Sequence, residues 1–203
     1  MQSFYNIEYL KNRLRVAFRD DYNIQWSDAL LDEIIFESQR EYALYSGRLL
    51  GTADIVSQER PILDCPDDFI KVVQAFDNTG KVLPIISFRR LAAFYGDFRT
   101  QTGNTAKYLV FDFDDHKKYR IFPQIPAGIK VGEMHYQRLP QSKNIEVNNF
   151  AAIEAHCLYM MFLMVGKDLA AVWYNKLLEL VNKDNSMFCR PGISRSVKSG
   201  RCY

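Results

Sequence analysis

Apolar residues fall at three- and four-residue intervals in two stretches at the start of the chain and two near its end. Between them the interval shortens to two. The first stretch predicts a helix over residues 3–19, with Ile7, Leu10, Leu14 and Ala17 on one face. Asp20, Asp21, Tyr22 and Asn23 break it. The second helix has the clearest start: Ser27 is placed to cap it, and Trp26 and Leu31 sit where a hydrophobic staple requires them. Leu31, Ile34, Ile35, Ser38, Tyr42, Tyr45 and Leu49 continue one stripe, flanked by Asp32, Glu33, Glu37, Arg40 and Glu41. Gly47 and Gly51 bracket its end.

The two-residue interval predicts strands across residues 52–140. Residues 69–76 and 81–86 read as a hairpin turning at Asp77, Asn78, Thr79 and Gly80, with Pro84 marking an edge. A short helix over 87–95 is closed by Gly96. Residues 101–106 are polar and read as a mobile loop. Residues 107–113 and 118–122 form a second hairpin, ended by Pro123 and Pro126, and 131–139 form a further strand. Helical spacing returns at 149–165, which is apolar almost all round and must therefore be buried on most sides. Gly166 ends it and Asp168 caps a fourth long helix, in which Ala170, Trp173, Leu177, Leu178 and Val181 share a face. So short a joint predicts an antiparallel helix pair.

These elements predict an α+β fold: a four-helix core with an antiparallel, hairpin-rich β insertion and an extended C-terminal tail. The divisions are a helix pair at 1–51, the β-rich insertion at 52–140, a helix hairpin at 141–182 completing the bundle, and a basic tail at 183–203. A chain of 203 residues can bury such a core without covalent staples.

Charge adds little at the level of the whole chain. Lys and Arg number 26 against 24 Asp and Glu, so no general pull toward nucleic acid or anionic membrane arises. None of the four cysteines, Cys65, Cys157, Cys189 and Cys202, forms a C-x-x-C pair, which points to reduced intracellular thiols. The N-terminus lacks the basic start and apolar run of a signal peptide, and the apolar run at 151–165 is too short to span a bilayer. The expectation is a soluble cytoplasmic chain.

Candidate chemistry is sparse. No Gly-rich phosphate loop, G-x-S-x-G or H-E-x-x-H is present, and no cofactor is expected. Asp112, Asp114, Asp115 and His116 could hold a divalent ion and support a metal-dependent nuclease or hydrolase. They read first as a solvated hairpin tip, since turn chemistry favours those residue types. His156 and Cys157 are adjacent on a helix, so they point about 100° apart and do not form a catalytic pair. Glu154, a carboxylate in an apolar run, needs an exposed face or a partner, which a Lys or Arg from a neighbouring element or a neighbouring subunit would supply. The tail carries Lys183, Arg190, Arg195, Lys198 and Arg201 against Asp184. It reads as a solvated terminus or as an arm that orders on a partner. Met187, Phe188 and Tyr203 speak for the arm.

The order of segments carries a resemblance. It runs from Trp26-Ser27-Asp28-Ala29-Leu30 into a helix ending Gln39-Arg40-Glu41-Tyr42. Then come Leu63-Asp64-Cys65-Pro66-Asp67-Asp68-Phe69-Ile70-Lys71-Val72, Lys118-Tyr119-Arg120-Ile121-Phe122-Pro123-Gln124-Ile125-Pro126, and His135-Tyr136-Gln137-Arg138-Leu139-Pro140. The last part is the alanine-rich helix pair over 151–181 with its Gly166-Lys167-Asp168 joint. In this order the chain resembles the head-to-tail adaptor, or connector, proteins of tailed bacteriophages, closest to the short-tailed podovirus adaptors and the neck ring proteins of crAss-like phages. It departs from them at Asp64-Cys65 before Pro66, and the tail has no counterpart.

The resemblance implies a non-enzymatic virion protein assembled in the bacterial host cytoplasm. It implies a homo-oligomeric ring, usually of twelve subunits, between the portal protein and the adjoining tail or ring proteins. Double-stranded DNA would pass through the lumen without sequence-specific binding, and no membrane would be involved. Closed rings need one face of a subunit to meet a different face of the next. The residues expected at subunit or portal contacts are Glu154, His156, Met160, Met164, Trp173, Phe188, Arg190, Arg195, Lys198, Arg201 and Tyr203. Deleting residues 183–203 is expected to weaken docking more than folding.

Overall fold

The structure, a computed structural model, describes residues 7–20, 22, 24–111, 117–142, 144–147 and 149–188, with the backbone alone at 187 and 188. The chain is mixed α+β. Among the described residues it has five helices and two sheets. It divides into two compact units, Met1–Ser46 with Asn148–Tyr203, and Gly47–Val147.

The first unit contains α1 (Ile7–Phe18), α2 (Asp28–Ser46), α4 (Phe150–Met164) and α5 (Leu169–Phe188). On α1, Leu10 and Leu14 are fully buried, but Ala17 is exposed. The buried face is completed by Lys11 and Arg15, whose charges are met by acids: Lys11 Nζ lies 2.7 Å from Asp32, and Arg15 Nη2 lies 2.5 Å from Asp28. Their aliphatic stems supply the packing surface that the expected alanine does not. Between α1 and α2 the Asp20 carboxylate accepts from the backbone N–H groups of Ile24, Gln25 and Trp26. Burial works against its charge, and those three donors outweigh it, holding Asp20 below the usual carboxylate range.

Ser27 starts α2 as expected, its hydroxyl accepting from Leu30 N at 3.3 Å, with Trp26 and Leu31 both buried. The stripe Leu31, Ile34, Ile35, Ser38 and Tyr42 is buried, and Gly47 follows the helix at φ +60°. A side chain would be strained there. α4 contacts α1, α2 and α5, which accounts for a helix apolar on nearly every side. Asn149 caps it by accepting from Ala152 N. Leu177 and Val181 of α5 are buried in the same unit. α5 continues to Phe188, so residues 183–188, expected in the extended tail, are helical. The cause lies in Asp184, which accepts hydrogen bonds from Tyr42 Oη at 2.5 Å and from Asn149 Nδ2, tying the last turns down.

The second unit carries β1 (Leu50–Val56), β2 (Leu63–Asp64), β3 (Phe69–Asp77), β4 (Ile85–Ser87), α3 (Phe88–Phe94), β5 (Tyr108–Phe111), β6 (Lys118–Phe122) and β7 (Lys130–Arg138). One sheet runs β1-β7-β3 and the other β2-β6-β5-β4. β5 and β6 pair antiparallel, from Tyr108 opposite Phe122 to Phe111 opposite Tyr119, as the alternation predicts.

The first expected hairpin forms only in part. Asp77 N donates to Lys81 O, Leu83 N donates to Ala75 O, and Gly80 takes φ +79°. The return segment makes a single bridge, Val82 to Phe76, and β3 pairs instead along β7. Pro84 has no N–H to extend the ladder. Its carbonyl accepts from Leu109 N, and the chain crosses to the other sheet as β4, parallel to β5. Ile55, Phe69, Ala75, Leu109, Ile121 and Met134 belong to one core cluster. Gly132 sits in the central strand, where an added Cβ would press into Phe76 O and lie 2.9 Å from Asp77 Cα.

Candidate assembly surface

The expected contact residues that are described, Glu154, His156, Met160 and Met164 on α4 and Trp173 on α5, differ in burial. Glu154 is answered within the chain: Arg13 Nε donates to its Oε1 at 2.7 Å. His156 is a core residue. Ser38 Oγ donates to Ile34 O at 2.7 Å, which leaves the hydroxyl oxygen to accept from His156 Nδ1 at 2.9 Å and from Cys157 Sγ at 3.2 Å. With the Ser38 proton directed at Ile34 O, the arrangement suits the imidazole tautomer that carries its proton on Nδ1. Burial lowers the His156 pKa against a smaller opposing pull from Glu37, so the ring is neutral at pH 7. Burial likewise pushes the Cys157 thiol up to about 12, which keeps it protonated. The sequence signal for this network was Ser38, the one small polar residue in the stripe.

Met160 and Trp173 are half-buried, and Met164 is exposed. Phe188 ends α5, described here by its backbone. Arg190, Arg195, Lys198, Arg201 and Tyr203 lie outside the described residues, as do Asp112, Asp114, Asp115 and His116. Among the described residues no group of three or more His, Cys, Asp or Glu could hold a metal ion, and no helix is long and apolar enough to cross a membrane.

The connected end of the α4–α5 pair adds to the expected Met164 three residues that sequence reasoning passed over. Leu163 and Met164 on the last turn of α4 are each 54% exposed. Leu169 and Val172 on the first turn of α5 are 49% and 59% exposed. The joint between them is closed by Lys167 N donating to Phe162 O and by Gly166 at φ +66°. Four large apolar side chains are thus left in water at one end of one helix pair. On α5 the signal was available: Leu169 and Val172 are apolar residues three apart and off the buried stripe of Ala170, Leu177 and Val181.

No protein-family model matches the chain, and no curated protein matches it in sequence.

Proposed function

We propose that this chain is a structural virion subunit that forms a closed ring between portal and tail of a phage particle. The ring gives DNA a passage and tail components a docking platform. In this reading the helices α1, α2, α4 and α5 make a four-helix body and residues 47–147 form the β-rich insertion. The observation that carries it is the exposed apolar end of the α4–α5 pair, Leu163, Met164, Leu169 and Val172. Such a patch favours a permanent protein contact, since leaving it in water forgoes the free energy of its burial. The order of sequence segments, which resembles the head-to-tail adaptors, supplies the kind of assembly. The contact is heterologous: the patch on one subunit meets a different face of the next, which closes a ring.

Antibody labelling of intact particles tests the placement. A gold label against this chain is expected at the junction of head and tail and nowhere else. Label confined to the infected cell, with none on purified particles, contradicts the proposal.

A further inference from the structure

We propose that the exposed face of α3 and the start of β5 bind a single-stranded nucleic acid through Arg90, Phe94 and Lys107. This surface is separate from the apolar patch above, and the inference does not depend on ring formation. Arg90 and Phe94 stand four residues apart on α3 and so share a face. The Arg90 guanidinium lies over the Phe94 ring, 5.6 Å from its centroid, while Phe94 is 64% exposed. Tyr108, next to Lys107 at the start of β5, sets its ring beside that of Tyr95, the residue after α3, with 6.2 Å between centroids. Two elements distant in sequence thus place two cations and an exposed aromatic ring on neighbouring segments.

Among the described residues no carboxylate lies within ion-pair distance of Arg90 or Lys107, whereas Lys11, Arg13 and Arg138 each have one. Over residues 85–111 Asp97 is the one acid, against Arg89, Arg90, Arg99 and Lys107. Exposed apolar rings are common singly. The combination with unmatched cations is what selects a ligand. A phosphate backbone supplies anions for Arg90 and Lys107, and an unpaired base supplies a flat face for Phe94. An acidic peptide satisfies the charges and leaves the ring in water. A duplex hides its base faces in the stack.

Fluorescence anisotropy of the full chain with a labelled 20-nucleotide oligothymidine tests this, alongside a duplex of equal length and polyglutamate as competitors. The single strand is expected to bind and to be displaced poorly by either competitor. Arg90→Ala with Lys107→Ala is expected to reduce the slope of log affinity against log salt by about 1.4. Phe94→Ala is expected to weaken binding about tenfold and leave that slope unchanged. These side chains are exposed, so unchanged melting temperatures verify folding. Three results overturn the inference: no binding of the oligonucleotide, equal competition by duplex or polyglutamate, or binding that neither variant alters. The last assigns the affinity to the basic C-terminal segment.

Discussion

Replacing Met164 and Val172 together by glutamate places two carboxylates in the apolar end of the α4–α5 pair. Each of Leu163, Met164, Leu169 and Val172 keeps about half of its surface in water. Full burial of such a side chain is worth about 1.5–3 kcal/mol, so covering the remaining half recovers roughly 1 kcal/mol each and about 3–6 kcal/mol for the four, before the cost of association. The double substitution removes about half of that gain. It also asks the contact to take in two charges, which it resists. A loss of about 3 kcal/mol or more per contact follows, a weakening of at least a hundredfold. The monomer is little affected, because exposed positions tolerate substitution within about 0.5 kcal/mol. The assay supplies wild-type and variant chains in equal amounts during particle assembly and measures their ratio in purified particles by peptide mass spectrometry. The variant is expected to be almost absent. Incorporation in the supplied ratio, with an unchanged melting temperature, refutes the assignment of this surface.

Other consequences concern the two units separately. Gly132→Ala forces β7 away from β3 at Phe76 and Asp77, and is expected to cost about 3 kcal/mol or more in urea unfolding. His156, held neutral by burial, takes up a proton more readily in the unfolded chain, so its contribution is complete above about pH 6.5 and is lost as pH falls below that value. Wild type is expected to lose up to about 1.4 kcal/mol per pH unit between pH 6.5 and 5.5, and His156→Gln to show no such slope. Deleting residues 189–203 is expected to leave the melting temperature unchanged. Deleting 183–203 also removes Asp184, strands the buried Tyr42 hydroxyl and is expected to cost about 2–4 kcal/mol. The two deletions thus separate a folding role of residues 183–188 from the docking role expected of the tail.

Local signals were the legible part of the fold. Ser27 marks a helix start because a cap acts on the next three residues, and its hydroxyl accepts as that position requires. Gly80 and Gly166 mark chain reversals for a similar reason. Partner choice was not legible. The alternation at residues 69–76 identifies a strand, but nothing in it prefers the turn neighbour over β7, sixty residues on. Nor does the sequence show that β4 lies parallel to β5, an arrangement that follows from Pro84 ending one ladder. Buried Lys11 and Arg15 escaped notice because their acids, Asp28 and Asp32, lie on the next helix. The exposed apolar end of the α4–α5 pair was named at Met164 and passed over at Leu163, Leu169 and Val172, since an apolar residue beside an apolar stripe looks like more core until neighbouring helices are placed.

Assembly into a ring is the property that most needs to be seen in the particle itself. A three-dimensional reconstruction of the particle's neck, at a resolution that traces side chains, addresses this directly. It is expected to show this chain as a closed ring beneath the portal, with Leu163, Met164, Leu169 and Val172 covered by the adjacent subunit. A neck built without the chain, or a ring in which those four side chains face solvent, contradicts it.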